Sequence, residues 1–237
     1  MLDQPLPPQF VPTAAVRMGR RQQNKADKLN RIKQAARQAF LLNGYDEATT
    51  REIARRAKVA LGTLFLYAAN KRDLLFLTVN DEYAAIAERA ALAIREDRAL
   101  LDNLLTAFGL LYEFFAENPK LSQLVLREMQ FYESGTQAER FAATRDRMIA
   151  LSSRAVRHAQ RARQIQARAN ADDVGRVIFS VYQSEVRRWL GKEPLRMRTG
   201  LKELEQALRI VIEGLSPTPR AFATKKRPRP KRSGTRR

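Results

Sequence analysis

The chain has 237 residues, 44% of them hydrophobic and 29% charged, which fits a globular protein of one or two domains. It contains no cysteine and one histidine, so disulfides and thiolate metal sites are excluded, and we expect no metal and no cofactor. The net charge of +19 is concentrated at the two ends. Residues 17–76 carry 14 Lys or Arg against 5 Asp or Glu, and residues 216–237 carry 9 basic residues and no acid. Basic ends of this kind favour a polyanionic partner.

The first residues are rich in proline and then basic, and they lack the apolar run of a secretion signal. We expect residues 1–23 to form a flexible basic arm. The uncharged stretch at 59–70 is much shorter than the roughly 20 residues that span a bilayer. No membrane association is therefore expected.

Helical periodicity begins near Lys25 and ends at Gly44, a residue that tolerates the left-handed backbone at a helix end. The pattern from Thr49 to Glu52 predicts a capping box at the start of a second helix, about 49–57. A turn at 58–60 leads to a short helix over about 60–67 that has no charged residue. Asn70 is then placed to cap a long helix that starts at Lys71.

The remainder is helical throughout, with apolar residues at intervals of three and four. Gly, Pro and Asn divide it into helices at about 101–115, 119–133, 137–168, 172–190 and 200–214. The predicted fold is all-α, with about nine helices. We divide it into a helix-turn-helix head (24–76, with the motif at about 49–68), a helical body (77–215) and a disordered basic tail (216–237).

The helix at 172–190 carries apolar side chains over an arc of about 220°, whereas a surface helix needs a stripe of only about 100°. The excess predicts contact with a second copy, and the helix at 200–214 adds a further apolar side. A homodimer through these two helices is expected. Deep burial inside a single core is the alternative.

The segment from 32 to 75 resembles the TetR family of bacterial transcriptional regulators. The matching positions keep fixed spacing over about 45 residues: 36–40, 44–45, 49–54, Val59, 62–64, Tyr67, Lys71 and 73–75. The resemblance implies a three-helix DNA-binding head on a body that binds a ligand and dimerises.

Carried over by position, the resemblance implies that Thr50 contacts phosphate and that Arg51 lies near a base edge or phosphate. The groove-facing residues would be Leu61, Gly62, Thr63, Phe65 and Leu66, and the residues holding the DNA backbone would be Tyr67 and Lys71. The chemistry agrees, because Gly62 permits close approach and the methyl groups of Thr63 and Leu66 suit thymine.

Four positions depart from the family pattern. Lys58 stands where glycine is usual, which predicts a strained turn if the backbone there is left-handed. Ala60 replaces a Ser or Thr cap, at a cost of about 1 kcal/mol to the short helix. Phe65 replaces a tyrosine that would bond phosphate, and Ala68 replaces an aromatic anchor, so we expect a looser head.

These features predict a sequence-specific DNA-binding transcriptional regulator in the bacterial cytoplasm, a ligand-responsive repressor that binds a palindromic operator as a homodimer. The effector is expected to be small and apolar or amphipathic, and no ligand-binding residue is assigned. An architectural protein that binds DNA without sequence preference is the alternative. An enzyme is disfavoured, because no nucleophile–base pair, phosphate loop or metal set is present in the sequence.

Overall fold

A computed structural model describes residues 19–215, and the predicted tail and most of the predicted arm lie outside that range. The described residues form nine helices and no strand, which confirms the all-α prediction. The helices are α1 Arg20–Glu47, α2 Thr50–Arg56, α3 Leu61–Phe65, α4 Lys71–Leu92, α5 Leu100–Glu117, α6 Pro119–Glu128, α7 Ala138–Arg161, α8 Ala171–Leu190 and α9 Met197–Gly214. None of these helices is both long and apolar enough to cross a membrane.

The first helix is longer than predicted. It starts at Arg20, so residues 20–23, which the sequence assigned to the arm, are helical. Gly44 interrupts it as predicted, with φ at 78° and ψ at 172°, and one further turn follows up to Glu47.

The capping box of α2 is only half formed. The Thr49 hydroxyl accepts a hydrogen bond from the Glu52 amide at 3.2 Å, as predicted. The Glu52 carboxylate does not return to Thr49, because it accepts from Asn43 Nδ2 at 3.2 Å and pairs with Arg56 at 2.5 Å. The carboxylate therefore ties α2 to the end of α1.

Two helices are shorter than the sequence predicts. The sixth ends at Glu128 rather than 133, and the seventh ends at Arg161 rather than 168. Phe131 and Arg163 have left-handed backbones, with φ of 58° and 57°, which a continuing helix excludes.

The chain divides into two compact units. Among the described residues, the first comprises 19–85 together with Glu117–Arg145, and the second comprises Ile86–Ala116 and 146–215. This division differs from the predicted boundary at residue 76, since α6 and the start of α7 group with the head.

The second unit has an aromatic core. Phe108 stacks on Tyr182 with ring centroids 4.4 Å apart, and Tyr112 stacks on Trp189 at 4.6 Å. These contacts cover most of α8, where seven of the nine apolar residues of the predicted arc are buried: Val174, Ile178, Phe179, Tyr182, Val186, Trp189 and Leu190. The width of the arc is thus explained mainly by packing within one chain, which was the alternative to a second copy. Val177 remains exposed and Val181 half-buried.

Candidate nucleic-acid interface

The short helix α3 has one side that is buried and one side, its front, that is exposed to solvent. Leu64, and Ala68 just beyond the end of the helix, are fully buried. On the front, Leu66 is 79% exposed and Phe65 42% exposed. Exposed apolar side chains on a short helix are the arrangement expected of a surface that meets base edges.

The other groove residues predicted from the sequence lie on or beside the same front. Gly62 is exposed and has open space where a Cβ would stand. Leu61, Thr63 and Tyr67 are half-buried, so Thr63 is not sealed from solvent. The structure therefore brings the predicted α3 residues together on one accessible surface.

Positive charge frames this surface from α2 and the turn. Arg51, Arg55 and Lys58 are exposed, and Thr50 is half-buried at the start of α2. Lys58 has a left-handed backbone, with φ at 53°, so the condition for the predicted strained turn is met. The front of α3 is neutral and its frame is cationic, which suits contact with bases at the centre and phosphates at the edge.

Lys71 has a partner in the free head. Its Nζ donates to the Asp46 carbonyl at 2.9 Å and lies 4.7 Å from the centroid of the Tyr45 ring. Arg127 of α6 lies over the same ring at 5.4 Å. An ammonium has three donors, so one bond to a carbonyl leaves donors for a phosphate oxygen.

A buried carboxylate holds the segment that follows α3 in place. Asp73 is fully buried and accepts backbone hydrogen bonds from Ala69 at 2.8 Å, Thr136 at 2.7 Å and Gln137 at 3.0 Å. The Tyr132 hydroxyl donates to the same carboxylate. Burial, together with this carboxylate, raises the pKa of Tyr132 above its ordinary value, so the hydroxyl remains a donor.

The loop held by Asp73 also contacts the recognition helix. Gln137 Nε2 donates to the Tyr67 carbonyl at 3.1 Å, just beyond the end of α3. Asn80 Nδ2 donates to the Gln137 carbonyl at 3.1 Å. The orientation of α3 therefore depends on residues about 70 positions later in the chain.

Sequence reasoning missed this loop. Tyr132, Gly135 and Gln137 carry no motif that identifies them, and only Gly135, placed between predicted helices, gave a local signal.

A further network joins α1 to α7, where Asp81 pairs with both Lys33 and Arg140. Burial raises the pKa of Asp81, but the two cations outweigh it, and the pKa lies below its ordinary value.

Arg127, Glu128 and His158 are polar residues that could orient a ligand, and all three have structural partners. Arg127 and Glu128 belong to a cluster with Arg72, whose Nε lies 3.3 Å from the Glu128 carboxylate. In the second unit, His158 Nε2 lies 3.3 Å from Glu96. Neither group identifies an effector site.

The fold and this surface define a helix-turn-helix head. Residues 32–77 match the family model described as bacterial regulatory proteins, tetR family. This match confirms the resemblance drawn from the sequence.

Among curated proteins, the fatty acid metabolism regulator protein of Bacillus subtilis (strain 168) is 30% identical over 107 residues, which is 44% of this chain and 55% of that relative. The chain thus matches about half the length of this relative.

Two solved structures share the fold. One is FadR of Thermus thermophilus, a TetR family transcriptional repressor in complex with lauroyl-CoA, with a TM-score of 0.62 and 24% identity over 81% of this chain and 98% of the other. The second is the transcriptional regulator FadR of Bacillus subtilis in complex with stearoyl-CoA, with a TM-score of 0.62 and 18% identity over 78% of this chain and 98% of the other.

Proposed function

We propose that this protein is a sequence-specific DNA-binding transcriptional regulator that acts as a repressor in the bacterial cytoplasm. The observation that carries the proposal is the exposed, uncharged front of α3 inside a cationic frame. The α3 helix enters the major groove, where Thr63 and Leu66 contact bases. Tyr67, Lys71, Thr50 and Arg51 hold the phosphates on either side, with Arg51 also within reach of a base edge.

The protein acts on a palindromic operator as a homodimer through α8 and α9. The support is the apolar surface that these helices leave uncovered in one chain. Val177 of α8 is 52% exposed and Ile210 of α9 is 73% exposed, while Val181, Val211 and Ile212 are half-buried. A twofold axis through this face places one head on each half-site.

The effector is an amphipathic molecule, and a long-chain acyl-CoA is the first candidate. Support comes from the relatives, of which one regulates fatty acid metabolism and two were crystallised with an acyl-CoA. Binding releases the operator only to the extent that the acyl-CoA prefers the state whose heads do not fit the half-sites.

Binding measurements with variants of three residues test the DNA-binding proposal. We expect Tyr67→Ala and Lys71→Ala to weaken binding to every duplex, because they remove contacts to the backbone. We expect Thr63→Ala to relax preference at particular base pairs. Equal loss on all sequences for Thr63→Ala would remove its assigned role.

The same titrations separate the two kinds of DNA-binding protein. A specific regulator binds its operator about 10³-fold or more tighter than unrelated DNA. An architectural protein shows a steep salt dependence and little preference between DNA sequences.

Adding lauroyl-CoA, with free CoA as the control, tests the effector. We expect lauroyl-CoA to release the operator and free CoA to leave it bound. Operator affinity that neither compound changes contradicts an acyl-CoA effector.

A further inference from the structure

The stripe of α1 that faces the core changes character along the helix. From Ile32 onward it is apolar, and Ile32 and Ala39 are fully buried. Towards the N-terminus the same stripe continues as Arg21, Lys25 and Lys28, because all five positions fall within about 60° of one another at 100° per residue. The three cations are exposed. The face that packs against protein in one half of the helix is thus basic in the other half.

These cations line an open cleft of about 1030 Å³. The opposite side of the cleft includes Thr63 and Tyr67 at the recognition helix. Leu66, the strongly exposed apolar residue that caps the end of α3, also lines it. The cleft therefore continues the α3 surface directly, and both lie within the first compact unit.

The charge in the cleft is not balanced within the head. Within residues 19–215, no carboxylate forms an ion pair with Arg21, Lys25 or Lys28. Arg140, which also lines the cleft, is paired with Asp81. The nearby acid of α1, Asp27, projects from the other side of the helix and accepts from Gln23 Nε2 at 3.3 Å.

Three like charges at spacings of four and three residues repel one another on a helix. Such a stripe is unfavourable for the free head and becomes favourable when it neutralises a polyanion. A duplex seated on α3 brings a row of phosphates next to the front of that helix.

We propose that this cleft is a second DNA contact, in which Arg21, Lys25 and Lys28 bind the sugar-phosphate backbone beside the bases met by α3. The inference rests on the proposed function and extends the interface from the helix-turn-helix to the first two turns of α1. Contacts of this kind add affinity and fix the register of the head on the duplex, without reading sequence.

The test is the salt dependence of binding by the full chain, measured on the operator and on an unrelated duplex. The variant Arg21→Ala/Lys25→Ala/Lys28→Ala removes the three cations. Its matched control, Lys120→Ala/Arg147→Ala/Arg168→Ala, removes three exposed cations that do not line the cleft. A charge-retaining variant, Arg21→Lys/Lys25→Arg/Lys28→Arg, tests whether charge alone matters.

The logarithm of the binding constant falls as the logarithm of the salt concentration rises, with a slope of about −0.9 for each phosphate contact. We therefore expect the slope of the triple alanine variant to be less steep than that of wild type by about 2.7 per bound chain. The loss is the same on both duplexes, so the ratio of operator to unrelated affinity is kept. The control triple and the charge-retaining triple keep the wild-type slope.

A slope of the triple alanine variant equal to that of its control overturns the cleft contact. A lost operator preference with an unchanged slope also overturns it, since it assigns base reading to these residues. A wild-type protein that binds the operator no tighter than unrelated DNA contradicts the proposed function instead. In that case the salt slopes on the unrelated duplex still test whether the cleft contacts DNA.

Discussion

Lys58 occupies a left-handed backbone position in the turn between α2 and α3, with φ at 53°. An L-residue with a side chain is strained there, whereas glycine is not. The residue stays exposed, so its ammonium contributes to the cationic frame of the recognition helix. The strain thus falls on an exposed cation that, under the proposed function, lies beside the DNA.

We expect Lys58→Gly to be more stable than Lys58→Ala by about 1 kcal/mol, because only glycine relieves the left-handed strain. Urea unfolding of the two variants measures the difference. Both lose the ammonium and should bind DNA equally weakly relative to wild type. Equal stability of the two variants would show that the turn is unstrained.

Gly135 has no room for a side chain. Its φ is +130°, and a Cβ would stand 2.4 Å from Asp73 Oδ1. We expect Gly135→Ala to destabilise the fold by at least about 2 kcal/mol, since it combines a backbone strain with a clash against a buried carboxylate. Thermal or urea unfolding measures this loss.

Gly109 provides the control for Gly135. It lies inside α5 with open space at its Cβ position, so Gly109→Ala should stabilise by about 0.5–1 kcal/mol. If both substitutions change stability alike, the Asp73 cluster does not constrain the loop.

At the level of single residues, the sequence predicted those of α3 and of the turn before it, because they follow a local motif. Tyr132, Gly135 and Gln137 were not predictable, because their roles depend on Asp73 and Tyr67, which are distant in sequence. Long-range hydrogen bonds leave no periodic signal along the chain.

The sequence predicted accurately the two helix starts that carry an Asn cap. Asn70 accepts from the Asp73 amide at 2.9 Å, and Asn170 accepts from the amides of Asp172 and Asp173 at 2.9 and 3.1 Å. Helix ends were less accurate. The ends of α6 and α7 are set by left-handed residues, Phe131 and Arg163, for which the sequence offers no glycine.

The short helix α3 follows Ala60 and begins with no side-chain cap, as the sequence predicted. We expect Ala60→Ser to stabilise the head by about 1 kcal/mol by supplying a hydroxyl to an amide of the first turn. Thr49→Ala, which removes the existing cap of α2, should cost a similar amount. Urea unfolding of both variants checks the pair, and no gain for Ala60→Ser would mean that α3 is already held by its buried side.

For the whole molecule, the composition and the helical pattern predicted the fold class correctly, whereas the width of the apolar arc on α8 has an explanation within one chain. The apolar arc of α8 is mostly covered by the aromatic side chains of its own chain, including Phe108 and Tyr112. What remains for a partner is the smaller surface around Val177 and Ile210.

We expect Val177→Glu/Ile210→Glu to convert a dimer to monomers, because charge in an apolar interface is not compensated. Sedimentation velocity measures the state. Leu92→Glu is the control, since Leu92 is equally apolar and exposed but lies on α4. A double variant that still sediments as a dimer would place the interface elsewhere.

Selection of bound fragments from a random pool of duplexes tests the central claim most directly. The account predicts strong enrichment of one inverted repeat, with half-sites about one helical turn apart or a multiple of it. It further predicts that the Thr63→Ala protein enriches a less restricted repeat. Recovery of unrelated sequences in proportion to the pool would contradict a regulator that reads its operator through α3.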